Sequence, residues 1–158
     1  MSNKYKKTLK QISLNKIQGY HPEIVKTVAI LANCNFVRRM DVLSDDALLQ
    51  LLDIHPIFLN KVSDKYHVVG GFRSYQLALA NVNEELKVTC LVYNNLPKEK
   101  IVEIAQTDLL GSVILHSLGS KSVAQIEVII SDIGSDAANK IAPGLNSTRA
   151  ITRFEKIK

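Results

Sequence analysis

The amino-acid sequence predicts an α/β (α+β) domain, a small mixed sheet with surrounding helices, followed by a mainly helical C-terminal part. Three observations carry this reading. Residues 86–93 read Leu-Lys-Val-Thr-Cys-Leu-Val-Tyr, a β-branched and aromatic run of strand length. Ile101, Ile104, Ala105 and Leu109 follow Pro97 at helical spacing, which predicts an amphipathic helix opened by a proline. Before these, short strand-like runs alternate with helix-patterned segments, and the glycine pair Gly70-Gly71 stands between a strand and a helix.

In chain order, Ile12, Leu14 and Ile17 mark a first strand over residues 11–17, ended by Gly19. Pro22 opens a helix whose apolar positions, Ile24, Val25, Val28, Leu31 and Ala32, repeat at helical spacing until Asn33-Cys34-Asn35. Ser44 followed by Asp45 and Asp46 is a helix start, because the hydroxyl accepts from an orphan amide and the carboxylates suit the positive end of the dipole. That helix is expected to reach about Asp53. Residues 56–59 then read as a short strand, residues 60–65 as a polar turn and residues 66–69 as its hairpin partner. A buried helix follows to about Asn81, then the strand and helix named above. Beyond Gly111, residues 122–130 and 135–141 suggest two helices around Gly134, closed by Pro143-Gly144. The expected organisation is one domain over residues 1–110 and a helical extension over 111–158 packed on it.

With 158 residues, 46% of them hydrophobic and 22% charged, the chain can bury a core without disulfide or metal staples. Cys34 and Cys90 each sit among apolar neighbours rather than in a paired metal or redox spacing, and are expected to be buried, reduced thiols. The polar, lysine-rich start does not read as a secretory signal, and no apolar run is long enough to span a bilayer. A cytoplasmic location and no membrane partner are therefore expected. The net charge of +5 is concentrated at Lys4, Lys6, Lys7, Lys10 and Lys16 and at Arg149, Arg153, Lys156 and Lys158. These basic termini are either solvated tails or non-specific contacts to nucleic acid phosphates.

The chemistry points to residues 66–73, Tyr-His-Val-Val-Gly-Gly-Phe-Arg. Glycine lets a backbone approach a ligand, the first amides of a helix have no partner within it, and an arginine fork can hold phosphate oxygens in two places. Gly70, Gly71, Arg73 and Ser74 are the candidate phosphate or nucleotide ligands. The same residues also describe an ordinary tight turn with an ion-paired arginine. His21, His55, His67 and His116 share no metal-ligand spacing with each other or with acidic residues, so no metal site is expected. Ser74 has no recognisable base partner in the sequence that would make it a nucleophile.

The order of elements from residue 11 to 109, with Gly70 and Arg73 at the two fixed places of a G-x-x-R motif after a strand, resembles the N-terminal domain of ParB proteins in the ParB/sulfiredoxin superfamily. The resemblance implies that Gly70, Gly71 and Arg73 contact the phosphates of a nucleoside triphosphate, CTP or ATP with Mg²⁺. Phe72 stands where the family usually has a basic residue, and residues 105–110 hold no counterpart of its second, E-N-x-x-R motif. Gly71 replaces the cysteine of the sulfiredoxin motif, so no thiolate can form there. ParB proteins carry a helix-turn-helix after this domain, but residues 136–140 contain only Lys140 as a basic residue, which argues against sequence-specific DNA reading.

The function implied by this resemblance is a stand-alone phosphate- or nucleotide-binding domain acting in DNA transactions of a plasmid, phage or other mobile element. Two alternatives remain open at this point. One is a catalytically silent protein-interaction module, binding a protein partner or a second copy of itself. The other is a nuclease or small-molecule kinase, which needs acidic residues near Arg73 to hold Mg²⁺ or act as base; Asp108 and Glu103 are the candidates on the following helix.

Overall fold

The computed structural model describes residues 5–29, 43–81, 85–116 and 136. Cys34, the expected helices at 122–141 apart from residue 136, and the basic C-terminal residues lie outside them. The described elements are β1 (Lys7–Ser13), a 3-10 turn (Leu14–Lys16), β2 (Ile17–Tyr20), a second 3-10 turn (Pro22–Ile24), α1 (Val25–Ala29), α2 (Asp45–Ile54), β3 (Ile57–Val62), β4 (Lys65–Gly70), α3 (Phe72–Asn81), β5 (Lys87–Asn94) and α4 (Lys98–His116). The strands form one mixed sheet in the order β1-β5-β3-β4-β2, in agreement with the α+β class expected. β1 runs antiparallel to β5, β3 parallel to β5 and antiparallel to β4, and β2 parallel to β4.

The first strand differs from expectation. One strand was predicted over 11–17, but two strands occupy this stretch, and they lie on opposite edges of the sheet. Crossing five strands laid flat requires about 19 Å at the usual strand spacing, whereas the four residue steps from Ser13 to Ile17 span at most about 14 Å. The sheet is therefore strongly coiled, so that its two edges approach beneath the Leu14–Lys16 turn. Leu14 is buried inside this closure. Gly19 does not end the strand but sits within β2 at φ +88°.

The hairpin is also longer than expected. β3 and β4 pair out to Val62 and Lys65, leaving a two-residue loop with Ser63 at φ 55°. Asn60 and Lys61 read as turn residues because they are polar, yet Asn60 is fully buried and its carbonyl oxygen accepts from the Leu96 amide at 3.1 Å. The Asn60 carbonyl thus ties β3 to the loop before α4, while its buried Nδ2 has no hydrogen-bond partner among the described residues.

By register, Ile12, Val88, Cys90, Val92, Ile57, Leu59 and Val68 share one face of the sheet, and all are buried. α3 packs on β3 and β4, and α2 on α3 and β5. The start of α2 is as expected: the Ser44 hydroxyl accepts from the Ala47 amide at 3.3 Å, with Asp45 and Asp46 in the first turn. α2 is also bonded to the sheet, since the Thr89 hydroxyl donates to Asp53 while accepting from Gln11 Nε2 at 2.7 Å. α4 packs on β4 and on the turn before α1. It runs unbroken through Gly111 to His116, so the division expected at 110/111 falls within a helix. Cys90 is fully buried with its thiol pushed up to about 12 by burial, as an inert core thiol should be. No described helix is long and apolar enough to cross a membrane.

Candidate functional site

The junction between β4 and α3 is built by its two glycines, each for a different reason. Gly70 ends β4 beneath α4: a Cβ there would lie 3.0 Å from Phe58 Cδ2 and 3.2 Å from Ile104 Cγ2. Gly71 has φ +68°, and its Cβ would lie 2.7 Å from the Pro56 carbonyl oxygen and 3.0 Å from Ile57 Cα. Both close approaches are therefore to the protein's own chain, at β3, the residue before it and α4. At Gly71 the left-handed backbone and the missing Cβ turn the chain out of β4 directly into α3.

α3 begins at Phe72, and its regular ladder starts where the Tyr75 amide donates to the Gly71 carbonyl at 2.9 Å. The earlier amides have no acceptor within the helix. Sequence reasoning placed a ligand anion at this end. The structure shows a carboxylate there already: Asp108 Oδ2, on α4, accepts from the Phe72 amide at 3.0 Å. Asp108 is the next position along the inward stripe of Ile101, Ile104 and Ala105, and a polar residue at the place of the next apolar one was the signal for it. Glu103, the other acidic candidate, points elsewhere and bonds Lys100 Nζ at 2.7 Å.

Arg73 is half-buried and is not a bare fork. Its Nη1 donates to Gln76 Oε1 at 2.8 Å. Burial lowers the guanidinium from its usual range while neighbouring Tyr20 pushes it back up. Tyr20 is itself raised by burial, against the opposing effects of its hydrogen bond with Gln76 and of Arg73. Its ring meets Phe72 and Tyr75 edge-to-face at 5.9 and 5.4 Å between centroids. The arginine is thus held by Gln76 on its own helix, near Tyr20 of β2.

Gly71, Arg73, Ser74 and Asp108 line a common cavity of about 490 Å³, together with His55 at the end of α2. Leu51, Ile54, Pro56, Phe58, Leu77 and Leu91 make its wide apolar wall. Three of the four residues singled out in the sequence, Gly71, Arg73 and Ser74, meet here. Gly70 does not line it and serves the packing of α4. A volume in this range, mostly apolar with a few convergent polar groups, is the usual form of a small-molecule site.

The fit of a magnesium nucleotide can be tested on these residues. Among the described residues no group of three or more His, Cys, Asp or Glu side chains converges as a metal cage. Mg²⁺ needs none when it arrives on phosphates, for it is commonly held by one or two carboxylates plus phosphate oxygens. Asp108 spends one oxygen on the Phe72 amide and has a second with which to do this. The apolar wall can take a base or another flat apolar group, and Arg73 and Ser74 can take phosphate oxygens. No protein-family model matches the chain, and no curated protein matches it significantly.

Proposed function

We propose that the chain is a phosphate- or nucleotide-binding domain whose ligand lies in the Arg73 cavity, and that it serves DNA transactions of the kind its ParB-like motif implies. The observation that carries this reading is the convergence of Arg73, Ser74 and the Gly71 turn on one cavity with an apolar wall. An ordinary tight turn with an ion-paired surface arginine would not require that wall.

In this reading Mg²⁺ offsets the repulsion between Asp108 and a polyphosphate, and Arg73 orients the phosphates. Calorimetric titration of CTP, ATP and GTP with and without Mg²⁺ is the test. Binding of one nucleotide, tighter with Mg²⁺, is the expected result. Absence of binding by all three would leave the interaction-module reading in its place.

The position of Asp108 favours a second reading, phosphoryl-transfer chemistry. A carboxylate beside an arginine is the minimum such a site needs, as a metal ligand or to orient a nucleophile. Release of phosphate or diphosphate from the bound nucleotide, lost in Asp108→Asn with binding retained, would select it.

A further inference from the structure

A second cleft, far more polar than the first, lies where the coiled sheet brings its two edges together. It has a volume of about 650 Å³ and lies between the end of β1, the Leu14–Lys16 turn and the β3–β4 hairpin. Lys16, Lys61 and Lys87 line it, and Asp64 is the sole acidic residue among its lining. These lysines come from three separate parts of the chain, and only the closure of the sheet makes them neighbours.

From these observations we infer that this cleft binds single-stranded nucleic acid, with the lysines on the phosphodiester backbone. Three ammonium groups against one carboxylate give the cleft a positive field suited to a polyanion. Asp64 offsets part of it, being paired with Lys61 at 3.1 Å, but the carboxylate is fully exposed, so solvent and salt screen the pair and Lys61 can exchange it for a phosphate. Gln11, Asn15 and Gln18 add side-chain amides, which donate and accept and so suit base edges and sugar hydroxyls alike. Tyr66 contributes an aromatic wall, with Lys61 Nζ 5.8 Å from its ring centroid, and aromatic walls beside cationic grooves are a recurring feature of single-strand sites. Concavity selects the single strand, because one strand can enter a cleft of this size, with its backbone on the lysines and its bases against Tyr66, whereas a duplex keeps its bases stacked inside.

This site shares no residue with the Arg73 cavity, and the inference stands whether or not that cavity binds nucleotide. It replaces the diffuse contact through basic termini with a defined place, in which only Lys16 belongs to the N-terminal basic cluster.

Fluorescence anisotropy with labelled mixed-sequence 12-mers of single-stranded DNA and RNA, and the matching duplex, tests it at low salt and over a salt series. Lys16→Ala, Lys61→Ala and Lys87→Ala are each expected to weaken single-strand binding about two- to fivefold, and to flatten the slope of log affinity against log salt by about 0.7 per lost contact. Asp64→Asn is expected to tighten binding about twofold or more, a gain that misfolding cannot produce. Lys26→Ala, at an exposed position of α1, should leave binding unchanged. Absence of oligonucleotide binding by the parent, equal losses from Lys26→Ala, no gain from Asp64→Asn, or tighter binding of the duplex would each overturn the inference.

Discussion

At the scale of single residues, the two glycines of the β4–α3 junction are expected to respond differently to the same change. Gly71→Ala forces a side chain into the left-handed region and against the backbone of Pro56 and Ile57, which cannot move without shifting β3. A loss of about 2 kcal/mol or more is expected in urea denaturation, the left-handed penalty alone being roughly 1–2 kcal/mol. Gly70→Ala meets only the side chains of Phe58 and Ile104, which can adjust, so the cost should be smaller, about 1 kcal/mol. Equal losses would mean that the turn is not set by Gly71.

His21 carries a pH dependence of stability. Burial lowers its imidazole below the usual range, and His67, whose ring meets it edge-to-face at 5.5 Å, lowers it further against the opposing pull of Glu23. Its Nδ1 also accepts from the Glu23 amide at 3.3 Å, capping the turn before α1. Protonation therefore adds charge where it is disfavoured and removes an acceptor. Because the folded value lies below the unfolded one, this stability is present above about pH 6.5 and is lost as pH falls through the folded value. A melting series from pH 8 to pH 5 should show the decline, and His21→Asn, which keeps a capping group without the titration, should flatten it. An unchanged slope in that variant would assign the decline to another group.

At the scale of elements, α3 is held by a residue 36 positions away. Asp108 on the Phe72 amide places a negative charge at the positive end of the helix, worth about 0.3–1 kcal/mol. Asp108→Asn should therefore lower stability by no more than about 1 kcal/mol, while raising the affinity for Mg²⁺-free nucleotide roughly tenfold by removing a like charge a few ångströms from the phosphates. A fall in Mg²⁺-free affinity would show that the carboxylate helps rather than opposes the ligand.

The elements themselves were legible to different degrees, and burial explains the difference. β5 announced itself because five of its eight positions are buried, and α4 because Ile101, Ile104, Ala105 and Leu109, all packed in or against the core, repeat at helical spacing. β1 did not: five of its seven residues, from Lys7 to Gln11, are exposed, and a polar edge strand leaves no alternation to read. Asn60 misled in the opposite sense, a polar residue buried to join β3 to the loop before α4. At the site, the glycine turn and Arg73 were readable as a local pattern, whereas their partners came from distant segments. Asp108, His55 and the apolar wall reach Arg73 only through the packing of α2, α3 and α4 around the coiled sheet.

At the scale of the whole molecule, the coiling of the sheet sets out the two candidate sites. At the β4–α3 junction the Gly71 turn, the end of α2 and the middle of α4 enclose an apolar cavity with an arginine and a carboxylate. Where the sheet edges meet, lysines from β3, β5 and the first turn face a polar cleft. A small apolar-bodied anion suits the first and an extended polyanion the second, which is the combination expected of a domain that couples a nucleotide to nucleic acid. The most direct test of this account is the calorimetric affinity of Arg73→Ala for CTP, ATP and GTP with Mg²⁺, set beside its thermal melt. Loss of a charge-assisted contact of roughly 1.5–3 kcal/mol should weaken the bound nucleotide about tenfold to a hundredfold while the melt shifts little. An unchanged affinity, or a variant that unfolds although the parent binds none of the three nucleotides, would contradict the account and make Arg73 a structural residue of α3.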